Sequence, residues 1–234
     1  MRKQKSNHPK SEYKVSCIVC AYNEESTIEN IIRDISKNEH VDEIIVVDDA
    51  SKDSTLDVLR RTKEEVDMNL IALPENKGKG NAMAVGIEHA NNDIITFVDA
   101  DLINFKPEFI DTLVEPLIDG KADMMMGQPQ HTIIPQPFNP LKPFTGERAV
   151  FRNDIVNILE EMKTERFGVE TLINMYYLSN KKKIKSVILK GLQHPSKFAK
   201  DSFIKAVQDF TFEIGQILKT LFKHRDMINN KDNK

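Results

Sequence analysis

The sequence predicts an α/β domain in which a mostly parallel sheet carries helices on both faces, and three observations support that prediction. Strand-forming runs alternate with helix-period runs from about residue 15 to residue 130. The runs Glu43–Val47 and Ile94–Val98 are almost continuously apolar, as strands buried on both faces are. Each strand run then stops abruptly in polar or acidic residues, the place where open α/β sheets put their ligands.

The bounds agree with one such domain. The chain has 234 residues, enough for a sizeable core, and a formal net charge of −3. That balance argues against a nucleic-acid partner, which usually demands a strongly basic domain. No apolar run approaches the ~18–20 residues of a membrane span, and Met1–Lys5 leads into polar residues without an apolar signal core, so a cytoplasmic location is expected. Residues 1–13 read as a basic tail, 14–196 as the α/β domain, and 197–234 as an amphipathic helix with a polar tail.

In chain order, Val15–Cys20 is the first strand, and it runs into Ala21-Tyr22-Asn23-Glu24-Glu25. Ile28, Ile31, Ile32 and Ile35 then fall at helical spacing, with Asn23 or Ser26 available as cap. Glu43–Val47 is the second strand, closed by Asp48-Asp49-Ala50-Ser51, and a helix opens near Ser54 or Thr55 with Leu56, Leu59 and Val66 inward. Asn69–Leu73 is a short third strand followed by the loop Pro74–Asn81; Met83, Ile87 and Ala90 mark the next helix. Ile94–Val98 leads to Asp99-Ala100-Asp101, and a helix from about Pro107 places Ile110, Leu113, Val114, Leu117 and Ile118 on one face.

Ala122–Met126 is one more short strand. The segment 128–143 holds five of the ten prolines and has no period, as long functional loops do. Thr145–Phe151 reads as a strand or turn, helices follow near 153–162 and 168–180, and Ile184–Leu189 is a last strand. Phe203, Val207, Phe210, Ile214, Ile217, Leu218 and Leu221 repeat at steps of three and four, the apolar face of a terminal helix flanked by lysines. Such a helix can pack on its own domain, form a homodimer contact, or make peripheral contact with a membrane. Cys17 and Cys20 form a C-x-x-C inside a strand, where three steps of ~3.3 Å separate their Cα atoms by about 10 Å, too far for a disulfide.

The chemistry gathers at the strand ends. Strands that run together end together, so Ala21–Glu25, Asp48–Ser51 and Asp99–Asp101 should share one sheet edge. Asp99 and Asp101 suit a hard divalent cation. In an extended chain their Cα atoms would lie roughly 6.6 Å apart at ~3.3 Å per residue; a turn after Val98 would let Asp101 bind the ion while Asp99 reaches it through water or holds a ribose hydroxyl. Lys77-Gly78-Lys79-Gly80 sets two cations and two glycines before a helix N-terminus, a place suited to phosphate, although it lacks the Walker A spacing.

The segments Cys20–Glu25, Val46–Thr55, Asn76–Ala82 and Phe97–Asp101 resemble the ordered motif set of glycosyltransferase family 2 and its relatives of the GT-A fold. That resemblance implies a GT-A (Rossmann-like) sheet and a nucleotide-diphosphate sugar donor, carrying UDP or GDP. It puts Ala21, Tyr22, Glu24 and Asp48 at the base and ribose, Lys77 and Lys79 near the diphosphate, and Asp101 with Asp99 on Mg²⁺ or Mn²⁺. Thr145–Ala149, Phe167–Glu170 and His194 resemble glucosyl-phosphoglycerate synthases, in which such a histidine joins the metal; an imidazole there would favour Mn²⁺.

The same segments are similar to the polyprenyl-phosphate sugar transferases, and the expected acceptor is accordingly phosphate-bearing: polyprenyl phosphate first, a small phosphorylated acid as the alternative. Arg148 is expected either to clamp the acceptor phosphate or to form a structural ion pair with Glu147 or Glu170. Glu170 is expected to orient the acceptor rather than deprotonate it. A nucleotidyltransferase would open with a glycine-rich loop where Ala21-Tyr22-Asn23 stands, and a non-catalytic sugar-nucleotide module would not need the acids at 48, 99 and 101.

Overall fold

A computed structural model of the chain describes residues 13–129, 145–165, 168–193, 215, 219–220 and 222–224. Strand β1, Val15–Ala21, leads through a turn to helix α1, Ile28–Ile35. The unit repeats with β2, Val41–Asp48, and α2, Thr55–Thr62, then with β3, Asn69–Ala72, and α3, Lys79–His89. β4, Ile94–Asp99, precedes α4, Glu108–Ile118, and β5, Met124–Pro129. After β6, Arg148–Phe151, come α5, Arg152–Ile155, a 3₁₀ turn at Val156–Ile158, α6, Leu159–Lys163, α7, Val169–Ser179, and β7, Ile184–Leu189.

One seven-stranded sheet has the order β3-β2-β1-β4-β6-β5-β7. All pairings are parallel except those of β6, which runs antiparallel to β4 and β5. The chain winds outward from β1 through β2 to β3 and then restarts on the other side of β1 with β4. A crevice therefore opens between the carboxyl ends of β1 and β4.

Burial explains the two covered faces. Ile28, Ile31, Ile32 and Ile35 of α1 are all buried and meet Val58 and Leu59 of α2 and Ile110, Leu113 and Leu117 of α4 on one face. Each such aliphatic side chain contributes about 1.5–3 kcal/mol by leaving water. On the other face Met83 and Ile87 of α3 pack with Met162 of α6 and Leu172, Ile173 and Tyr177 of α7. The strands alternate between these layers: Cys17 and Val19 enter the first, Ile18 the second. Cys17 and Cys20 are both free thiols, in keeping with their spacing along one strand.

Several boundaries differ from the sequence expectation. Helix α1 begins after Thr27 with no side-chain cap, because Asn23 and its neighbours are spent on the β2 turn. In α2 the inward positions are Val58 and Leu59, with Leu56 half-buried. β5 starts at Met124 and reaches Pro129 because β7 pairs with it along that whole length. The expected helix near 153–162 is broken where Asn157 Nδ2 donates to the carbonyls of Asn153 and Asp154.

The proline-rich loop falls almost wholly at residues 130–144, outside the described residues, as do all seven apolar positions of the expected terminal helix. Gly215, Lys219, Thr220, Phe222 and Lys223 are described and helical. No helix of the described residues is long and apolar enough to cross a membrane.

Candidate active site

Register brings the three turns together. Ala21 pairs with Asp48 and Cys20 pairs with Asp99, so the ends of β1, β2 and β4 stand side by side. The first two turns are stapled across the gap: Asn23 N–H donates to Ser51 Oγ (3.0 Å), Lys52 N–H to Asn23 Oδ1 (2.8 Å) and Glu24 N–H to Thr55 Oγ1 (2.8 Å). Asn23 and Ala50 both hold φ of 58°, a left-handed conformation that is costly for alanine and typical of functional turns.

Asp48 and Asp49 divide the work at the end of β2. Asp49 accepts hydrogen bonds from the N–H groups of Lys77 (3.0 Å) and Gly78 (2.8 Å), so one carboxylate shapes the loop that opens α3. Gly78, at φ 94°, supplies the backbone conformation which that loop needs. Asp48 is 1% exposed; Oδ2 accepts from Ser51 N–H (3.3 Å), while Oδ1 has no hydrogen-bond partner among the described residues. A buried carboxylate oxygen left in that state suits a ligand donor such as an imide N–H or a ribose hydroxyl.

Lys79 forms the centre of the site. Its Nζ lies 2.8 Å from Asp99 Oδ1 and 2.8 Å from Glu170 Oε1, joining α3, β4 and α7. Burial opposes the charge on Lys79, yet the two carboxylates hold its pKa well above the ordinary lysine value. Lys77, by contrast, is mostly exposed and sits 3.2 Å from Glu75. The two lysines of the motif thus have different surroundings. Asp99 is pressed against Gly146, where a Cβ would lie 2.2 Å from Asp99 Oδ2.

The remaining expected residues are placed as follows. Ala21 is buried, and its carbonyl accepts from Asp49 N–H (2.9 Å). Tyr22 is 38% exposed at the rim, and Glu24 is half-buried in the same turn. Asp101 is half-buried in the turn that follows β4, two residues beyond the strand end, so the turn comes after Asp99 rather than after Val98. Glu170 is buried in the first turn of α7. His194 lies outside the described residues.

Arg148 is the residue expected either to clamp the acceptor phosphate or to form a structural ion pair with Glu147 or Glu170. It is 0% exposed, and its guanidinium donates to the Thr145 carbonyl and to Asn174 Oδ1 (3.3 Å). Neither Glu147 nor Glu170 forms a direct ion pair with it among the described contacts, although both favour its charge; burial pulls its pKa below the usual arginine value. In this arrangement Arg148 ties Thr145 to α7. Cys20 adjoins the site, but burial, opposed by Lys79 and reinforced by Asp99, Asp49 and Glu170, pushes its thiol up to about 12, so it is no thiolate nucleophile.

Sequence reading missed Asp49 as the loop anchor, Gly146 as the seat of Asp99, and Asn174 as the partner of Arg148. The Asp48-Asp49 doublet and the Thr145-Gly146-Glu147-Arg148 run were visible, but which atom met which was not. Among the described residues no group of three or more His, Cys, Asp or Glu is placed to hold a metal ion by itself. The donors still fit a divalent ion of the Mg²⁺ type, which is commonly held by one or two carboxylates and completed by substrate phosphates. Asp99, held by Lys79, and Asp101, in the turn after β4, are the two carboxylates at this strand end.

A doubly covered sheet with acids and a lysine converging on its carboxyl edge is the architecture of a GT-A-type domain. The chain belongs to glycosyl transferase family 2, whose family model matches residues 16–188. It is 39% identical over 113 residues to glucosyl-3-phosphoglycerate synthase of Mycobacterium tuberculosis, a match covering 46% of this chain and 35% of that protein. It is also 34% identical over 90 residues to poly-beta-1,6-N-acetyl-D-glucosamine synthase of Staphylococcus aureus, covering 38% of this chain and 22% of the relative. The chain thus spans about a third or less of the length of these curated relatives. Among solved structures, the M. tuberculosis synthase in complex with Mn²⁺, uridine diphosphate and phosphoglyceric acid superposes with a TM-score of 0.73 at 24% identity, covering 91% of this chain and 78% of that one.

Proposed function

We propose that this domain transfers a sugar, glucose in the first instance, from a uridine-diphosphate donor to the hydroxyl of a small phosphorylated acid. The observation that carries the proposal is Lys79 fixed between Asp99 and Glu170 at the mouth of the β1–β4 crevice. Likeness to a synthase that binds uridine diphosphate and phosphoglyceric acid supports the choice of donor and acceptor. The polyprenyl-phosphate acceptor of the sequence reading has no comparable support among these relatives and becomes the second choice.

Each residue then has a chemical task. Asp48 receives hydrogen bonds from the base or ribose through its buried Oδ1, while Tyr22 and the Ala21–Glu24 backbone line the base. Lys79 keeps positive charge beside the sugar-diphosphate linkage, and Lys77 offers a second, exposed cation further out. Fixed positive charge lowers the barrier because negative charge grows on the departing diphosphate. Bound at Asp101, with Asp99 and His194 as the other candidate ligands, Mg²⁺ or Mn²⁺ would add a Lewis acid for that charge.

Glu170, held by Lys79, is fixed in one orientation and positions the acceptor hydroxyl. Arg148 acts through Thr145 and Asn174 rather than by touching the acceptor.

The test is a thermal-shift series with UDP-glucose and GDP-glucose, with and without Mn²⁺, followed by transfer of labelled glucose to 3-phosphoglycerate and to a short polyprenyl phosphate. Specific binding raises the melting temperature as RT ln(1 + [L]/Kd) grows. Mn²⁺-dependent stabilisation by UDP-glucose and label in phosphoglycerate are expected. Label in the polyprenyl phosphate alone would reverse the acceptor, and binding without transfer or hydrolysis would leave a non-catalytic module.

A further inference from the structure

The connection between α6 and α7 touches the catalytic edge on one side and the end of the chain on the other. Glu165, in that connection, is buried, and three side chains from residues 220–224 converge on its carboxylate. Thr220 Oγ1 donates to Oε2 (2.7 Å), Lys223 Nζ to Oε1 (2.6 Å), and His224 Nε2 lies 3.1 Å from Oε1. Lys223 also donates to Thr164 Oγ1 (2.7 Å), and Thr220 and His224 are themselves buried. A buried carboxylate that gathers three donors from one five-residue segment is a specific docking point, not a solvated surface pair.

Two glycines make the packing possible. A Cβ at Gly168 would lie 1.9 Å from Thr220 Oγ1, so the terminal helix rests directly on the backbone that opens α7. A Cβ at Gly80 would lie 2.0 Å from the Glu165 carbonyl and 2.4 Å from that of Met162, so α3 presses on the backbone at the end of α6 and at Glu165. Gly80 follows Lys79, and Gly168 precedes Glu170 by two residues. The backbone of Glu165 therefore abuts the helix that carries Lys79, while its side chain holds the end of the chain.

We propose that Glu165 is a positioning residue: by docking Thr220, Lys223 and His224 it clamps the α6–α7 connection and so fixes Lys79 and Glu170 against Asp99. The terminal helix on this account completes the donor site of its own chain. The proposal rests on the reading of Lys79 as part of the donor site. It gives the lysines of the terminal helix an intramolecular task at Lys223, which neither a membrane anchor nor a dimer contact requires.

Hydrogen exchange and uridine-diphosphate binding on the full-length chain test it, in Glu165→Ala, Glu165→Gln and Lys223→Met. Glu165→Ala and Lys223→Met should each speed exchange of the α3 amides from Asn81 to Met83 and raise the Kd for UDP with Mn²⁺ by about 10-fold, the scale of a lost supporting contact. Glu165→Gln, which keeps an acceptor for Thr220, should fall between them and the parent. Loosened residues 219–224 with parental α3 exchange and parental UDP affinity would overturn the clamp. Should Glu165→Ala fail to fold, Lys223→Met carries the same test, because that lysine is only partly buried. A parent chain that does not bind UDP would refute the donor reading, whereas the exchange comparison would still decide the coupling.

Discussion

The carboxylate of Asp99 occupies the space in which a side chain on Gly146 would begin: a Cβ there would stand 2.2 Å from Oδ2 and 2.5 Å from Oδ1. The same carboxylate holds Lys79 at 2.8 Å. Gly146→Ala should therefore push Asp99 off Lys79 without adding a charge or removing apolar contact. A loss in kcat/KM of about 100-fold, the scale of a 1 Å misplacement, is expected with little change in far-UV circular dichroism. Parental activity would show that Asp99 can move without consequence.

Lys77 and Lys79 should separate cleanly in stability measurements. Lys79→Met leaves Asp99 and Glu170 on either side of the removed cation and should cost about 1–3 kcal/mol in urea unfolding, as removal of one partner from a partly buried pair does. Lys77→Met removes a mostly exposed charge and should stay within about 0.5 kcal/mol. Equal effects would mean that the two lysines share one environment, contrary to the structure.

Asp48→Asn tests the buried oxygen. Replacing a buried carboxylate by an amide of the same shape relieves desolvation, so the ligand-free protein should melt at the same or a higher temperature. UDP binding should weaken by about 10-fold, or ~1.4 kcal/mol, as one charge-assisted hydrogen bond is lost. A parallel fall in ligand-free stability would identify Asp48 as a structural residue.

Asp101→Ala should leave the fold and metal-free UDP binding unchanged and remove the increment that Mn²⁺ adds. Isothermal titration with and without Mn²⁺ reads this directly. An intact metal increment would move the ion to other ligands.

The docking of the chain end should depend on pH through Glu165. Burial works against its charge, but hydrogen bonds from Lys223, Thr220 and His224 prevail and hold its pKa below the ordinary glutamate value. A carboxylate depressed in the folded state adds stability that is fully present above its unfolded pKa, about 4.3, and is lost as pH falls through the lower folded value. Proteolysis near residue 220 should therefore rise as pH drops below about 4 in the parent. In Glu165→Gln that acid dependence should be absent.

The local pattern of residues carried a large part of this description. Apolar runs of the length of strands, isoleucines three and four apart and acids at strand ends determined the sheet, the faces of α1 and α4, and the shared edge of Ala21, Asp48 and Asp99, because these depend on backbone period and parallel winding. The four ordered motifs likewise determined the family. Packing decided what no period encodes. Asp49 turned inward to the Lys77–Gly78 backbone while Asp48 kept one buried oxygen without a hydrogen-bond partner among the described residues, and Lys79 met two carboxylates 20 and 91 residues away while Lys77 faced solvent. Arg148 was covered by α7, and the α6–α7 connection found the end of the chain at Glu165. Those outcomes turn on how closely backbones approach at Gly80, Gly146 and Gly168, a property of three-dimensional contact between distant segments, which a linear pattern of residue types does not specify.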